Sequence, residues 1–278
     1  MTRPDLYNDA FYAPFTETST ASARVIVPEI ISLLNPVSVV DVGCGEGVWL
    51  SVFREHGVTR TFGIDGDHVN RERLRIPLQS FAVHDLSQPF ELSETFSLVV
   101  SLEVAEHLPA SSAETFVRSL AALGDAVLFS AAVPYQSGIH HVNLQWQDYW
   151  ATLFEARGYA AVDVIRPLVW RNDSVSFFYR QNVLLFVERT YLQTQPQLMR
   201  AWERTRHDQL SVAHPEFVTL IGRAVSSEQL DGLSLGDLLP RLPRMVLQAV
   251  RRKLARPDAG RGHHPQVHAQ DVRNRRQN

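Results

Sequence analysis

The stretch Val39-Val40-Asp41-Val42-Gly43-Cys44-Gly45-Glu46-Gly47-Val48-Trp49 constrains the fold of this chain more than any other. A β-branched apolar run, three glycines at alternate positions and a helix-compatible continuation read as a buried strand, a tight turn and a helix N-terminus. The glycines supply positive φ values and let the backbone approach something flat or charged, where a Cβ would obstruct both. Such a turn is built to hold a ligand.

The remaining strands fall into an alternating pattern. Buried-strand patterns occur at 37–42, 61–67, 81–86, 96–102, 126–130 and 159–165, and the pieces 176–179 and 182–187 together supply a seventh. Helical spacing marks 21–34, 48–56, a segment carrying Phe116, Val117 and Leu120, and 147–157, which ends at Gly158, a natural C-cap. Strands alternating with helices predict an α/β fold with a mainly parallel sheet covered on both faces.

Acids at the strand ends narrow the ligand. Asp65 lies about 20 residues past the glycines, where a carboxylate can accept both hydroxyls of a ribose. Asp85 ends the third strand and is placed to receive the exocyclic amine of an adenine. After the fourth strand, Glu103, Glu106 and His107 stand at i, i+3 and i+4, so a helical turn would project all three from one face. Two carboxylates and an imidazole suit Mg²⁺ or Mn²⁺, while the histidine also tolerates Zn²⁺ or Co²⁺.

Asp41-x-Gly43-x-Gly45-x-Gly47, Asp65 and Asp85 together resemble the motifs of class I S-adenosylmethionine-dependent methyltransferases. A dinucleotide-binding fingerprint would be GxGxxG, whereas here the third glycine comes one position earlier and further acids follow. The resemblance spans roughly residues 20–190. It implies a Rossmann-like seven-stranded sheet, last strand antiparallel, with S-adenosylmethionine against Asp41, Gly43, Gly45, Gly47, Asp65, Gly66, His84, Asp85, Leu86 and Leu102. The Glu-x-x-Glu-His pattern further resembles the metal site of ubiquinone-pathway O-methyltransferases and of small-RNA 3′-terminal 2′-O-methyltransferases. In the latter, a histidine from the segment after strand 5 completes the site. Here that segment offers His140 and His141, which implies Glu103, Glu106, His107 and His141 as metal ligands and His140 as a general base. His141 is thus counted with the catalytic pair as well as with the ligands.

The acceptor is the least constrained part. Asn143, Trp146, Tyr149, Arg171 and the N-terminal Tyr12 are the substrate candidates, because sugar faces stack on rings and their hydroxyls need many donors and acceptors. The expected reaction is methylation of a hydroxyl of an oligosaccharide or glycoside, a mannoside included. Alternatives are a catechol or quinol O-methyltransferase, a terminal RNA 2′-O-methyltransferase, and a non-catalytic protein that binds the methyl donor.

Composition sets outer bounds. At 278 residues and 45% hydrophobic content, one α/β domain with an appended segment is expected. The boundaries are 1–20 as an irregular aromatic arm or lid, 21–190 as the main domain, 191–255 as a helical C-terminal extension with a basic amphipathic helix at 242–254, and 256–278 as a disordered basic tail. The net charge of −3 excludes a chain-wide nucleic-acid surface, so no nucleic-acid partner is expected. The single cysteine, Cys44, excludes an internal disulfide and suits a reducing compartment. No signal segment precedes the domain, and no apolar run approaches the roughly 18 residues of a membrane span. A cytoplasmic location follows as the expectation, with a homodimer left open as the assembly.

Overall fold

The computed structural model describes residues 9–227, with side chains described from 17 to 222. Seven strands form one sheet: β1 (Ser38–Val42), β2 (Arg60–Asp65), β3 (Phe81–Val83), β4 (Leu98–Leu102), β5 (Ala126–Ser130), β6 (Tyr159–Val162) and β7 (Leu184–Glu188). Their order is β3-β2-β1-β4-β5-β7-β6. Every neighbouring pair from β3 to β5 is parallel, and β7 alone runs against its neighbours on both sides. The expected seven-stranded, Rossmann-like sheet with an antiparallel last strand is what the chain forms.

The central strands are buried along their whole length, which is why they read as continuous apolar runs. Alternation then divides their side chains between two cores. Val39, Leu98, Val100, Ala126 and Leu128 face a layer containing α1 (Asp9–Leu34) and α2 (Val48–Glu55). Val40, Val42, Val99, Val127 and Phe129 face α3 (Ala113–Leu123) and α4 (Gln147–Glu155). At roughly 25 cal/mol per Å² of buried apolar surface, this double-sided burial is the main stabilising contribution.

Two segments differ from the sequence reading. Residues 9–20 are not irregular: they belong to α1, which runs on without a break to Leu34 and buries Ala23, Ile26, Val27 and Ile30 at helical spacing. Pro28 sits inside this helix, where it forfeits one backbone hydrogen bond. Residues 177–182 form α6 (Phe177–Asn182) rather than strand, preceded by the short α5 (Arg166–Val169). The aromatic run Phe177-Phe178-Tyr179 mimics a strand, but the segment turns to bury Tyr179, Arg180, Gln181 and Asn182 together.

Helices α7 (Arg189–Gln193), α8 (Pro196–Arg204) and α9 (Pro215–Ser227) follow the sheet. Leu198, Leu210 and Phe217 are buried, so this segment is packed, and residues up to Gly222 form one compact unit. Arg166 anchors it: the buried guanidinium grips both Asp163 oxygens at 2.8 and 2.7 Å and donates to the carbonyls of Gln181 and Leu210. The amphipathic helix expected at 242–254 and the tail at 256–278 lie outside the described residues. Among the described residues no helix is long and apolar enough to cross a membrane.

Chain direction across the sheet reverses between β1 and β4. The crevice outside their carboxyl ends is where open α/β sheets bind ligands. Both motif segments, 43–47 and 103–107, begin there.

Candidate functional site

The glycine turn leaves β1 with Gly43, Gly45 and Gly47 at φ values of +85°, +53° and +80°. At Gly43 the need for glycine is also one of space, since a Cβ would lie 2.3 Å from Val104 Cγ2. Asp65, at the end of β2, braces the turn by accepting the Gly45 N–H at 2.7 Å on one oxygen and the Gly66 N–H at 2.6 Å on the other. Burial raises its pKa, opposed by His68 and by these two backbone donors. Asp41, 2% exposed, is raised well above the ordinary aspartate value by burial and then by the Asp65 charge. Asp85 stays exposed, with Oδ1 taken by the Ser87 N–H at 3.0 Å and hydroxyl at 2.6 Å. His84 lies over Phe90 at 6.0 Å, and Leu86 and Leu102 are buried. Three left-handed glycines and the strand-end acids fit an adenosine-bearing ligand: a carboxylate for a ribose, one for an adenine amine, and a backbone that permits close approach.

The second half of the site follows β4. Glu103 does not share a helical face with Glu106 and His107. Its φ is +55°, and only Ala105–His107 form a turn, of 3₁₀ type. The Glu103 N–H is pinned to the Ser130 carbonyl at 3.0 Å, which forces the chain to reverse before the turn begins. A non-glycine residue held in this region stores strain of order 1–3 kcal/mol, a cost concentrated at functional positions.

Glu106, His107 and His141 converge, with one ligand atom from each within 4.8 Å of the others. Glu106 is 1% exposed and its Oε2 has no hydrogen-bond partner. Burial and then Glu103 raise its pKa well above the usual carboxylate range. His107 is pushed down to about 4 by burial and then by His141, so its imidazole is neutral and keeps a lone pair at neutral pH. The two rings meet edge to face at 4.9 Å. His141 Nδ1 lies 3.0 Å from the Gln136 carbonyl, which only accepts, so Nδ1 donates there and Nε2 is the nitrogen that a ligand can use. A Cβ on Gly138 would sit 2.1 Å from that same Nε2, so the loop brings the ring in over bare backbone. The loop is fixed in turn by the Val142 and Asn143 N–H groups, both donating to the Glu106 carbonyl. A buried carboxylate oxygen without a partner beside two imidazoles is a donor set that fits a divalent cation.

Glu103 lies beside this trio and is held by two amides that sequence reasoning missed as site residues. Gln136 Nε2 donates to Oε2 at 2.9 Å, and Asn182 Nδ2 donates to Oε1 at 3.2 Å. Asn182 Nδ2 also reaches Gln136 Oε1 at 3.0 Å. Its own Oδ1 accepts from Gln181 Nε2 at 3.0 Å, and Gln181 Oε1 accepts the His214 N–H at 2.7 Å. One backbone donor thereby orients three amides so that the last two point N–H groups at Glu103. The signal for Asn182 was topological. Because β7 runs antiparallel, with Leu184 opposite Phe129, the residues before it arrive at the carboxyl edge of β4 and β5. Asn182→Leu should strip a donor from Glu103 and orphan Gln181 Nε2. The expected outcome is a loss of about 1–3 kcal/mol in urea unfolding, with about tenfold slower turnover at unchanged S-adenosylhomocysteine affinity.

The remaining candidates separate. Asn143 is 2% exposed and spends its amide on the Ala105 carbonyl at 3.4 Å, so it supports the turn. Tyr149 packs at right angles to the buried Trp150, whereas Trp146, at the start of α4, is exposed. His140, at φ +57°, and Arg171 are exposed and lie outside the trio. Tyr12 falls within α1, where its side chain is not described.

Comparison with known proteins gives the family and the fold. Residues 21–164 match a family described as a methyltransferase domain. No curated protein matches the sequence. Among solved structures, DesVI from Streptomyces venezuelae aligns with a TM-score of 0.51 and 17% identity over 67% of this chain and 98% of that one. The magnesium protoporphyrin IX methyltransferase ChlM from Synechocystis PCC 6803, with bound SAH, gives 0.46 and 18% over 65% and 88%. The methyltransferase domain of bacterial CtHen1-C gives 0.45 and 18% over 60% and 97%. At such identities the likeness is one of fold.

Proposed function

We propose that this chain, which belongs to the methyltransferase-domain family and is a class I S-adenosylmethionine-dependent methyltransferase, methylates a hydroxyl oxygen of a sugar with the help of a divalent cation. The observation that carries the reading is the convergence of Glu106, His107 and His141 beside Glu103, at the same sheet edge as the glycine turn.

In this reading Asp65 accepts the ribose hydroxyls, which would compete for the oxygens now bonded to Gly45 and Gly66. Asp85 receives the adenine amine, and Leu86 and Leu102 give the base and the chain apolar walls. Bound S-adenosylmethionine supplies an electrophilic methyl group on a sulfonium. Mg²⁺ or Mn²⁺ bound by Glu106, His107, His141 and Glu103 would supply Lewis acidity towards a hydroxyl, which is a poor nucleophile while protonated. Neutral His107 binds without first losing a proton, and His141 turns Nε2 to the cation because Nδ1 is bonded to the Gln136 carbonyl. Gln136 and Asn182 keep the Glu103 carboxylate in one orientation. The exposed imidazole of His140 is the candidate to take the hydroxyl proton.

The test is methyl transfer from labelled S-adenosylmethionine by protein treated with EDTA, offered glycosides and catechols in parallel and then given Mg²⁺ or Mn²⁺. Transfer to a glycoside is expected to appear only with the metal. Undiminished transfer in chelator would remove the cation from the reading, and transfer to catechols alone would replace the sugar.

A further inference from the structure

The loop that carries His140 and His141 does more than place two imidazoles. Between Pro134 and Trp146 the sequence contains no Asp, Glu, Lys or Arg. Yet it holds four large apolar side chains out to water: Tyr135 at 79% exposure, Val142 at 60%, Ile139 at 47% and Trp146 at 38%. Exposed single apolar residues are ordinary, but several in one short rigid segment mark a binding surface.

Two of these residues are tied to the trio through their backbones, and a third adjoins a residue that is. The Val142 N–H donates to the Glu106 carbonyl at 2.8 Å. The backbones of Ile139 and His140 hydrogen-bond to His107. Tyr135, at a left-handed φ of +72°, precedes Gln136, whose carbonyl holds His141 and whose amide holds Glu103. The loop is pinned at both sides of its tip, so these side chains stay exposed because buried Gln136 and Asn143 tie the backbone beneath them. Together they make an exposed, uncharged apolar face, a collar, on the same segment that carries His141.

Resting on the proposed hydroxyl chemistry, we infer that this collar seats an uncharged aryl or alkyl group that the acceptor carries next to the methylated hydroxyl. Polyanionic acceptors are disfavoured, because the 134–146 segment has no Lys or Arg to pair with a phosphate. A free, fully hydrophilic sugar would leave the collar wet. The acceptor class is therefore a neutral hydroxyl compound with an apolar appendage, such as an aryl or alkyl glycoside.

The experiment titrates protein saturated with S-adenosylhomocysteine, with Mn²⁺ present, using matched pairs that share their hydroxyls and differ only in apolar length. Methyl against butyl β-glucoside is one pair, and catechol against 4-butylcatechol is another. Each buried methylene is worth about fourfold in affinity, so butyl members are expected to bind about tenfold tighter through a half-open collar. In Ile139→Ser/Val142→Ser the preference should fall to about twofold, with the S-adenosylhomocysteine affinity and melting temperature as controls on folding. Equal binding within both pairs, an undiminished preference in the double variant, or tighter binding of glucose 6-phosphate than of butyl glucoside would each overturn the inference. Repeating the titration in EDTA separates the two readings: a chain-length preference that persists when the metal makes no difference keeps the collar and removes the cation.

Discussion

Glu106→Gln is expected to melt at a higher temperature than the wild type in chelator while losing at least about a hundredfold in methyl transfer. The substitution keeps the shape of the side chain and removes its charge. In the wild type the carboxyl is buried, its Oε2 is unpartnered, and Glu103 stands beside it, so ionising it in the folded protein is costly. Burial and Glu103 together raise the folded-state pKa of Glu106 above the ordinary value of 4.5. The folded protein therefore holds a proton that the unfolded chain releases, and folding stability declines as pH rises from that ordinary value through the raised one. Glutamine abolishes this decline. The melting-temperature gain of the variant should be largest at alkaline pH and vanish near pH 4. Adding Mn²⁺ should raise the melting temperature of the wild type by mass action and leave the variant unmoved. Scanning thermal unfolding from pH 4 to pH 9, with and without Mn²⁺, checks both halves. A variant less stable at every pH, or one with wild-type turnover, would show that Glu106 is an ordinary packing residue.

The same residues explain how far the sequence could be read. The glycine turn, and the places of Asp65 and Asp85 at or just past the ends of β2 and β3, were legible because local chain geometry dictates them: a strand must end, a turn needs positive φ, and an acid one strand over falls at a fixed spacing. Strands β1, β4 and β5 were legible for the related reason that strands buried along their whole length are largely apolar. Glu103 was harder. An i, i+3, i+4 spacing implies a helical face only if residue i is helical, and the bond from the Glu103 N–H to Ser130 prevents that. Segment 176–179 misled for a different reason. Its aromatic residues have strand propensity, and tertiary burial of Arg180, Gln181 and Asn182 overrode it. Gln136 and Asn182 had no local signature. They act through amide hydrogen bonds to residues 33 and 79 positions away, and no periodicity encodes a contact of that kind.

Gly43→Ala should couple the two halves of the site and damage both. Alanine at φ +85° costs about 1–2 kcal/mol against glycine. Its Cβ would also lie 2.3 and 2.7 Å from the two γ-carbons of Val104. A β-branched side chain cannot swing away at χ1 without a new clash, so the overlap adds about 1–3 kcal/mol and pushes on the backbone between Glu103 and Ala105. Movement there displaces Glu103 and the Glu106 turn together, and a shift near 1 Å in a positioned group can cost about a hundredfold in rate. Gly57→Ala supplies the comparison, because Gly57 has φ +92° and an added methyl there would meet nothing within 4 Å. It should show the conformational cost alone, about 1 kcal/mol in urea unfolding, with S-adenosylhomocysteine affinity and turnover unchanged. Pairing Gly43→Ala with Val104→Ala should restore the steric part and leave a deficit close to that of Gly57→Ala. Were Gly43→Ala no worse than Gly57→Ala in calorimetric S-adenosylhomocysteine binding and in turnover, the contact between the turn and Val104 would carry no coupling, and the donor and acceptor halves of the crevice would be independent.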